Sequence, residues 1–110
     1  MVIMSSPFGG QARTRVLLGL RLLDESYPRE LARLLELPLS GVQMALRALE
    51  REGLVAGRLI GRTRLMRLNP RYFAKDELQR YLLKLASADA HLQNRVADLR
   101  RRPRAAGKSI

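Results

Sequence analysis

Residues 28–53 read PRELARLLELPLSGVQMALRALEREG and contain two short helical patterns with a turn between them. Pro28 suits the first turn of the first helix, which should end before Pro38 because a proline disfavours helix at the residue preceding it. The second pattern runs from residue 39 to residue 52, and Gly53 is placed to cap its C-terminus. Two short helices joined by a tight turn are the outline of a helix-turn-helix.

The segments on either side extend this outline. Downstream, residues 54–59 and 64–69 have the pattern of strands around a turn at residues 61–63, which predicts a β-hairpin. Upstream, apolar residues are too dense over residues 11–24 for a single stripe, so we expect a first helix that is buried on two sides. Such a helix is either a central core helix or one that also packs on a neighbouring molecule.

A long helical pattern over residues 74–100 ends the folded part of the chain. Its seam alternates four- and three-residue spacings, the signature of a heptad repeat, through Leu78, Leu82, Leu85, Asp89, Leu92, Val96 and Leu99. We expect the first half to cover its own core and the second half to form a dimer seam. Asp89 marks either a helix break near Ser87 or a polar position that sets the register.

The composition fits one small basic domain. The chain has 110 residues, 46% of them hydrophobic, and a net charge of +11 that suggests a polyanionic partner. It has no cysteine, which excludes disulfides and thiolate metal sites, and no apolar run approaches the roughly 20 residues of a membrane span. We therefore expect a cytoplasmic protein.

The positive charge is concentrated in two places. No acidic residue lies between Glu52 and Asp76, and this gap contains the arginines of the predicted hairpin. Basic residues recur after residue 100 beside proline and glycine, a composition that cannot build a core. We expect residues 101–110 to form a disordered basic tail.

The order of helix, helix-turn-helix, hairpin and helix is that of the winged helix. Over roughly residues 8–86 the chain resembles winged-helix regulators of the ArsR-like superfamily, and especially the branch that often precedes a nucleotidyltransferase domain. The runs that carry the resemblance are RELARLL (29–35), LSGVQ (39–43), LRALEREGLV (46–55), GRT (61–63) and RLNP (67–70). The resemblance implies a mainly α winged helix-turn-helix fold with a small β-hairpin, and DNA binding in transcription regulation.

Two activities found in related proteins are not expected in this chain. It lacks the Gly-Ser and following acidic pair that bind a nucleotide and its metal in nucleotidyltransferases. It also lacks the cysteine and histidine ligands of the arsenic and zinc sensors. Since no nucleophile with a base and no phosphate loop is evident either, we predict neither catalysis nor a cofactor.

An α-helix fits the major groove of B-DNA, so base specificity should come from the exposed face of the second helix in the motif. We predict that this face comprises Ser40, Gly41, Gln43, Met44 and Arg47. Gln43 can pair with adenine, Arg47 with guanine or a phosphate, and Met44 can contact a thymine methyl group. Gly41 would let the backbone approach the DNA. The hairpin arginines should contact phosphates or the minor groove, and they are Arg58, Arg62 and Arg64.

The sequence thus predicts a homodimeric, sequence-specific regulator that binds double-stranded DNA. The predicted divisions are an N-terminal tail (1–10), a DNA-binding domain (11–73), a dimerisation helix (74–100) and the basic tail (101–110). The predicted dimer interface comprises Val16, Leu20, Leu85, Leu92, Val96 and Leu99. His91, the single histidine, needs a carboxylate partner to act as a pH sensor, and the sequence identifies none.

Two alternatives remain open at the level of the sequence. A winged helix can serve as a protein-interaction module that docks a separate partner enzyme, and an exposed apolar patch on residues 39–47 would favour this function. The chain could also package nucleic acid without sequence preference, which a dominant contribution of the basic tail to binding would favour.

Overall fold

The computed structural model describes residues 8–101, so most of the predicted N-terminal tail and nearly all of the basic tail lie outside the described residues. Within this range the chain is mainly helical, with a small three-stranded antiparallel sheet. The elements are α1 (Gln11–Leu23), β1 (Glu25–Ser26), α2 (Pro28–Leu35), α3 (Leu39–Arg51), β2 (Val55–Ile60), β3 (Thr63–Leu68), α4 (Lys75–Ser87) and α5 (Ala90–Arg101). None of these described helices is long and apolar enough to cross a membrane.

Helix α1 is the centre of the core and contacts α2, α3 and α4. Val16 is 0% exposed and Leu20 is 1% exposed, so the predicted burial on two sides is confirmed. Both sides are covered by the same chain, however. The prediction that Val16 and Leu20 form a dimer interface is therefore wrong, because no surface of either side chain remains for a second molecule.

The predicted ends of α2 and α3 are confirmed, and backbone hydrogen bonds explain them. After α3, Gly53 adopts a φ of 81°, and its N–H donates to the carbonyl of Glu50 at 3.0 Å. The next N–H, of Leu54, donates to Leu49 at 2.9 Å, which completes a Schellman cap. Helix α2 ends in the same way, with Glu36 at a φ of 58° in the position that glycine usually occupies.

The predicted hairpin is confirmed to within a residue, and its strands β2 and β3 pair in antiparallel register with Gly57 opposite Met66. The turn is two residues long, and Gly61 at its first position has a φ of 63°, which glycine adopts without steric cost. The sequence did not predict the third strand: β1 pairs with β3 through only two residues. β3 therefore lies in the middle of the sheet.

The predicted helix over residues 74–100 is in fact two helices, α4 and α5, which are separated at Ala88 and Asp89. The side chain of Asp89 accepts a hydrogen bond from the backbone N–H of Leu92 at 3.0 Å, in the manner of an N-cap residue. Of the two interpretations of Asp89, the helix break is therefore the one observed. The break lets α5 fold back across α4 and pack on α2.

The predicted dimer seam on α5 is wrong for its central residues. Leu92 and Val96 are each 5% exposed, because α5 lies against α2 and α4 of the same chain. Leu85 and Leu99, the other two predicted seam residues of this region, are partly buried. The prediction failed because it assumed that a chain of this length has no surface left to cover α5.

Polar contacts fasten α5 to the C-terminal end of α2. The Arg95 guanidinium donates to the carbonyls of Leu34 at 2.8 Å and Arg33 at 2.7 Å, in the last turn of α2, where helix carbonyls have acceptor capacity to spare. Glu36 lies 3.0 Å from the imidazole of His91 and 3.5 Å from Arg95. The hydrogen bond with His91, and then the charge of Arg95, lower the pKa of the Glu36 carboxyl. Glu36 is thus the carboxylate partner of His91 that the sequence did not identify.

Candidate nucleic-acid interface

Helix α3 has a buried face and an exposed face, as its spacing predicts. Val42, Leu46 and Leu49 are buried in the core. The opposite face is exposed and contains the predicted contact residues Ser40, Gln43, Met44 and Arg47, together with Arg51. The structure therefore brings the four predicted side chains of this helix together on one accessible surface.

Gly41 lies at the edge of this exposed face, in the first turns of α3. Apart from its chain neighbours and the nearby backbone of α3, a Cβ atom built at this position would have no heavy atom within 4 Å. Packing inside the chain therefore does not require a glycine at residue 41, although glycine lowers the stability of a helix. A glycine at residue 41 would, however, let a binding partner come close to the backbone of α3.

An ion pair fixes the hairpin beside α3. The Arg64 guanidinium donates to both carboxylate oxygens of Glu50, at 2.8 and 2.7 Å, and also to the carbonyl of Gly57 at 3.2 Å. These hydrogen bonds from Arg64 lower the pKa of the Glu50 carboxyl. A bidentate arginine–carboxylate contact fixes orientation as well as distance. It therefore holds β3 in a defined position next to the exposed face of α3.

The sequence predicts that Arg64 contacts a phosphate or the minor groove, and in the structure Glu50 balances its charge although 44% of its side chain stays exposed. Its guanidinium is already occupied by Glu50 within the chain, and the glycine at position 57 makes room for it. A Cβ at Gly57 would lie 2.8 Å from the Arg64 guanidinium and 2.6 Å from the sulfur of Met66. Arg64 therefore positions the hairpin and is not an open cationic contact.

The two other predicted hairpin arginines differ in how far they are neutralised. Arg58 lies 3.7 Å from Glu25 of β1, with 61% of its side chain exposed. Arg62 occupies the turn, is exposed, and has no side-chain partner among residues 8–101. Arg62 is therefore the least neutralised of the three arginines predicted to contact DNA.

Exposed aliphatic side chains at the hairpin tip were not predicted. Leu59 is 69% exposed and Ile60 is 42% exposed, beside Arg62. The sequence pattern of a strand does not show this exposure. It depends on where the helices lie, and they do not cover the tip of the hairpin. Ile60 and Thr63 line one groove together with Gln43 of α3, so the tip and the exposed helix face form a continuous surface.

This surface presents cationic groups, an amide, a hydroxyl and a few apolar side chains, which are groups that can bind a partner. The part of the chain that the structure describes contains no cluster of three or more histidine, aspartate or glutamate side chains that could hold a metal ion. Comparison with known proteins finds no family model that matches the chain and no curated protein that matches it.

Proposed function

We propose that the chain is a winged helix-turn-helix protein that binds double-stranded DNA in a sequence-specific manner and regulates transcription. The observation that carries this proposal is the exposed face of α3, with the arginine-bearing hairpin fixed beside it by the Arg64–Glu50 ion pair. A helix placed in the major groove leaves an adjoining hairpin close to the sugar-phosphate backbone or the neighbouring minor groove. The resemblance of residues 8–86 to winged-helix regulators supports the same assignment.

In this proposal the exposed face and the hairpin have different tasks. Gln43 and Arg47 read base edges in the major groove, and Met44, which is 64% exposed, contacts a thymine methyl group. Arg62, with a smaller contribution from the partly neutralised Arg58, contacts phosphates and supplies affinity without sequence preference. Met44 is the only large apolar side chain that is exposed within residues 39–47, so the patch expected of a protein-docking module is not found there.

We also propose that the protein acts as a homodimer on a roughly palindromic site, since one such module contacts only a few base pairs. The contact cannot use Leu92 or Val96, which are buried within one chain. Tyr81 and Leu83 of α4 are 44% and 47% exposed, but they lie two positions apart on the helix and therefore do not form one apolar face. Sedimentation of the full chain as a monomer at micromolar concentration would exclude the dimer.

The primary test of DNA binding is selection of bound sequences from a random pool of double-stranded DNA. The proposal predicts enrichment of a defined motif, and the homodimer predicts that the motif has two-fold symmetry. Binding without enrichment of any motif would support non-specific packaging in place of regulation. No binding at moderate salt would overturn the proposal.

Replacement of Arg62 by alanine is expected to weaken binding nearly equally for all DNA sequences. Each neutralised phosphate releases counterions, so the slope of log affinity against log salt concentration should become shallower by about one unit. Fluorescence anisotropy over a salt titration measures this slope. Arg80→Ala removes an exposed arginine from α4, outside the proposed face, and should leave the slope unchanged. An unchanged slope in Arg62→Ala would remove the hairpin turn from the interface.

Replacement of Gly41 by alanine should have opposite effects on stability and binding. In a helix interior alanine is favoured over glycine by about 0.8–1.0 kcal/mol. Residue 41 is the third residue of α3 and its Cβ would meet nothing within 4 Å outside its own helix, so the free energy of unfolding should rise by up to that amount. If the α3 backbone lies close to DNA, the same methyl group should lower affinity. Chemical denaturation and anisotropy measure the two effects. A variant that is more stable and binds as well as the parent would show that the DNA does not approach the backbone at residue 41.

A further inference from the structure

A groove of about 620 Å³ lies beside the proposed DNA-binding face and has not been assigned a role. Four elements line it: the first two turns of α2, the start of α3, the tip of the hairpin and the last turns of α5. Its volume falls within the range of about 300–1,000 Å³ that is typical of small-molecule sites. The groove depends on the break between α4 and α5, because only the folded-back α5 supplies its far wall.

The groove has an apolar lining that comes from separate elements. Leu39 from α3, Ile60 from the hairpin and Leu99 from α5 all line it, and each retains exposed surface. A ligand with an apolar body would cover side chains that the chain itself leaves partly in water. Such burial stabilises binding by roughly 25 cal/mol per Å² of apolar surface.

The charges that line the groove favour an anion. Arg29 and Arg33 lie one turn apart on α2, both exposed and without a side-chain partner among the described residues. The lining also contains two acidic side chains: Asp98 pairs with Arg101, and Glu30 accepts a hydrogen bond from Ser26 at 2.6 Å. Two exposed guanidinium groups, neither held by a side chain of residues 8–101, lie at the edge of an apolar groove and match a carboxylate or sulfonate attached to a hydrophobic body.

From this arrangement we propose that the groove is a binding site for a small amphipathic organic anion, and that its occupancy lowers the affinity of the protein for DNA. The second half of the proposal rests on the proposed DNA-binding function. Gln43, Ile60 and Thr63 line the groove and also belong to or adjoin the proposed DNA-binding face. A ligand bound against them brings negative charge to the place where DNA phosphates must approach. The coupling is reciprocal, so DNA must also weaken ligand binding by the same factor.

The binding half is tested with 8-anilinonaphthalene-1-sulfonate, an amphipathic anion whose fluorescence rises in apolar surroundings. We expect saturable binding of the probe to one site on the full chain. The double variant Arg29→Gln/Arg33→Gln should weaken it by about tenfold, as expected for the loss of a charge-assisted hydrogen bond. The matched control is Arg80→Gln/Lys84→Gln, which removes two exposed cations one turn apart on α4 and should leave probe affinity unchanged.

Two results would overturn the binding site. Equal loss of affinity in both double variants would show only a general attraction of the probe to a basic protein. Equally tight binding of N-phenyl-1-naphthylamine, which has the same rings without the sulfonate, would show an apolar docking face and not an anion site. Thermal unfolding of each variant verifies that the fold is retained, because all four replaced side chains are exposed.

The coupling half is measured as DNA affinity with and without saturating probe, on a motif taken from the random-pool selection. A coupling of the usual size would raise the dissociation constant for DNA by at least about fivefold in the parent, and by less in Arg29→Gln/Arg33→Gln. Probe binding without any change in DNA affinity would overturn the coupling alone. Probe binding in a protein that binds no DNA would overturn the proposed function and leave the anion site standing.

Discussion

Replacement of Leu92 and Val96 together by aspartate is expected to detach α5 from a single chain. Both side chains are buried against α2 and α4, so two carboxylates would be placed among apolar groups with no cationic partner in the core. An unpaired buried charge costs several kcal/mol, and the same replacement removes the two buried apolar side chains by which this helix of twelve residues packs on the core. The helix should leave α2 and lose its structure, since isolated helices of this length are marginal in water.

Far-ultraviolet circular dichroism should show the loss of about one of the five described helices, and thermal unfolding should occur at lower temperature. Ala90→Asp/Asn94→Asp adds the same two charges, also four positions apart, at exposed positions of α5 and should change both signals little. The alternative expectation, from the heptad pattern alone, is a folded monomer produced by dissociation of a dimer. A variant that keeps full helicity while its sedimentation changes from dimer to monomer would contradict the observed packing of α5.

The heptad pattern could not distinguish these cases, because α4 and α5 bury leucine and valine at the same spacing that one continuous helix would. The break depends on a hydrogen bond from Leu92 to Asp89 and on the surface of α2 that α5 covers. The capping residue Asp89 is visible in the sequence, and it indicated a helix break as one of two alternatives. The second depends on the position of α2, whose contacts with α5 join residues 61 and 62 positions apart, and no local pattern reports such a distance.

The elements that were predicted well are those with local determinants. Proline and glycine fixed the ends of α2 and α3, and glycine fixed the hairpin turn, because each restricts or extends the allowed backbone angles of one residue. Strand β1 was missed because two residues carry no periodicity. It exists only because Glu25 and Ser26 lie next to the exposed edge of β3.

The candidate site follows the same rule. Exposure of Gln43 and Arg47 follows from the helical period, so it was predictable from the spacing of the buried residues on α3. The ion pair that removes Arg64 from the set of free cations joins residues 14 positions apart on a helix and a strand. Its prediction would have required the relative placement of those two elements, which the sequence pattern does not supply.

The largest expected effect on recognition comes from Gln43→Ala and Arg47→Ala. The two side chains lie one turn apart on the exposed face of α3. Neither side chain makes a hydrogen bond within residues 8–101, so neither has a structural role there. Truncation should therefore leave the free energy of unfolding within about 0.5 kcal/mol of the parent value. It should remove base contacts worth about 1–3 kcal/mol each if they are bidentate, which corresponds to roughly 5- to 150-fold in affinity for the preferred site.

The loss should be confined to particular base pairs, which separates base reading from phosphate binding. Affinities for a panel of singly substituted sites should lose discrimination at one position in Gln43→Ala and at another position in Arg47→Ala. Arg62→Ala, measured on the same panel, should weaken every site alike because it removes a contact to phosphate. If both single variants retain the sequence preference of the parent, α3 does not read the bases, and the polar face of this helix has another partner.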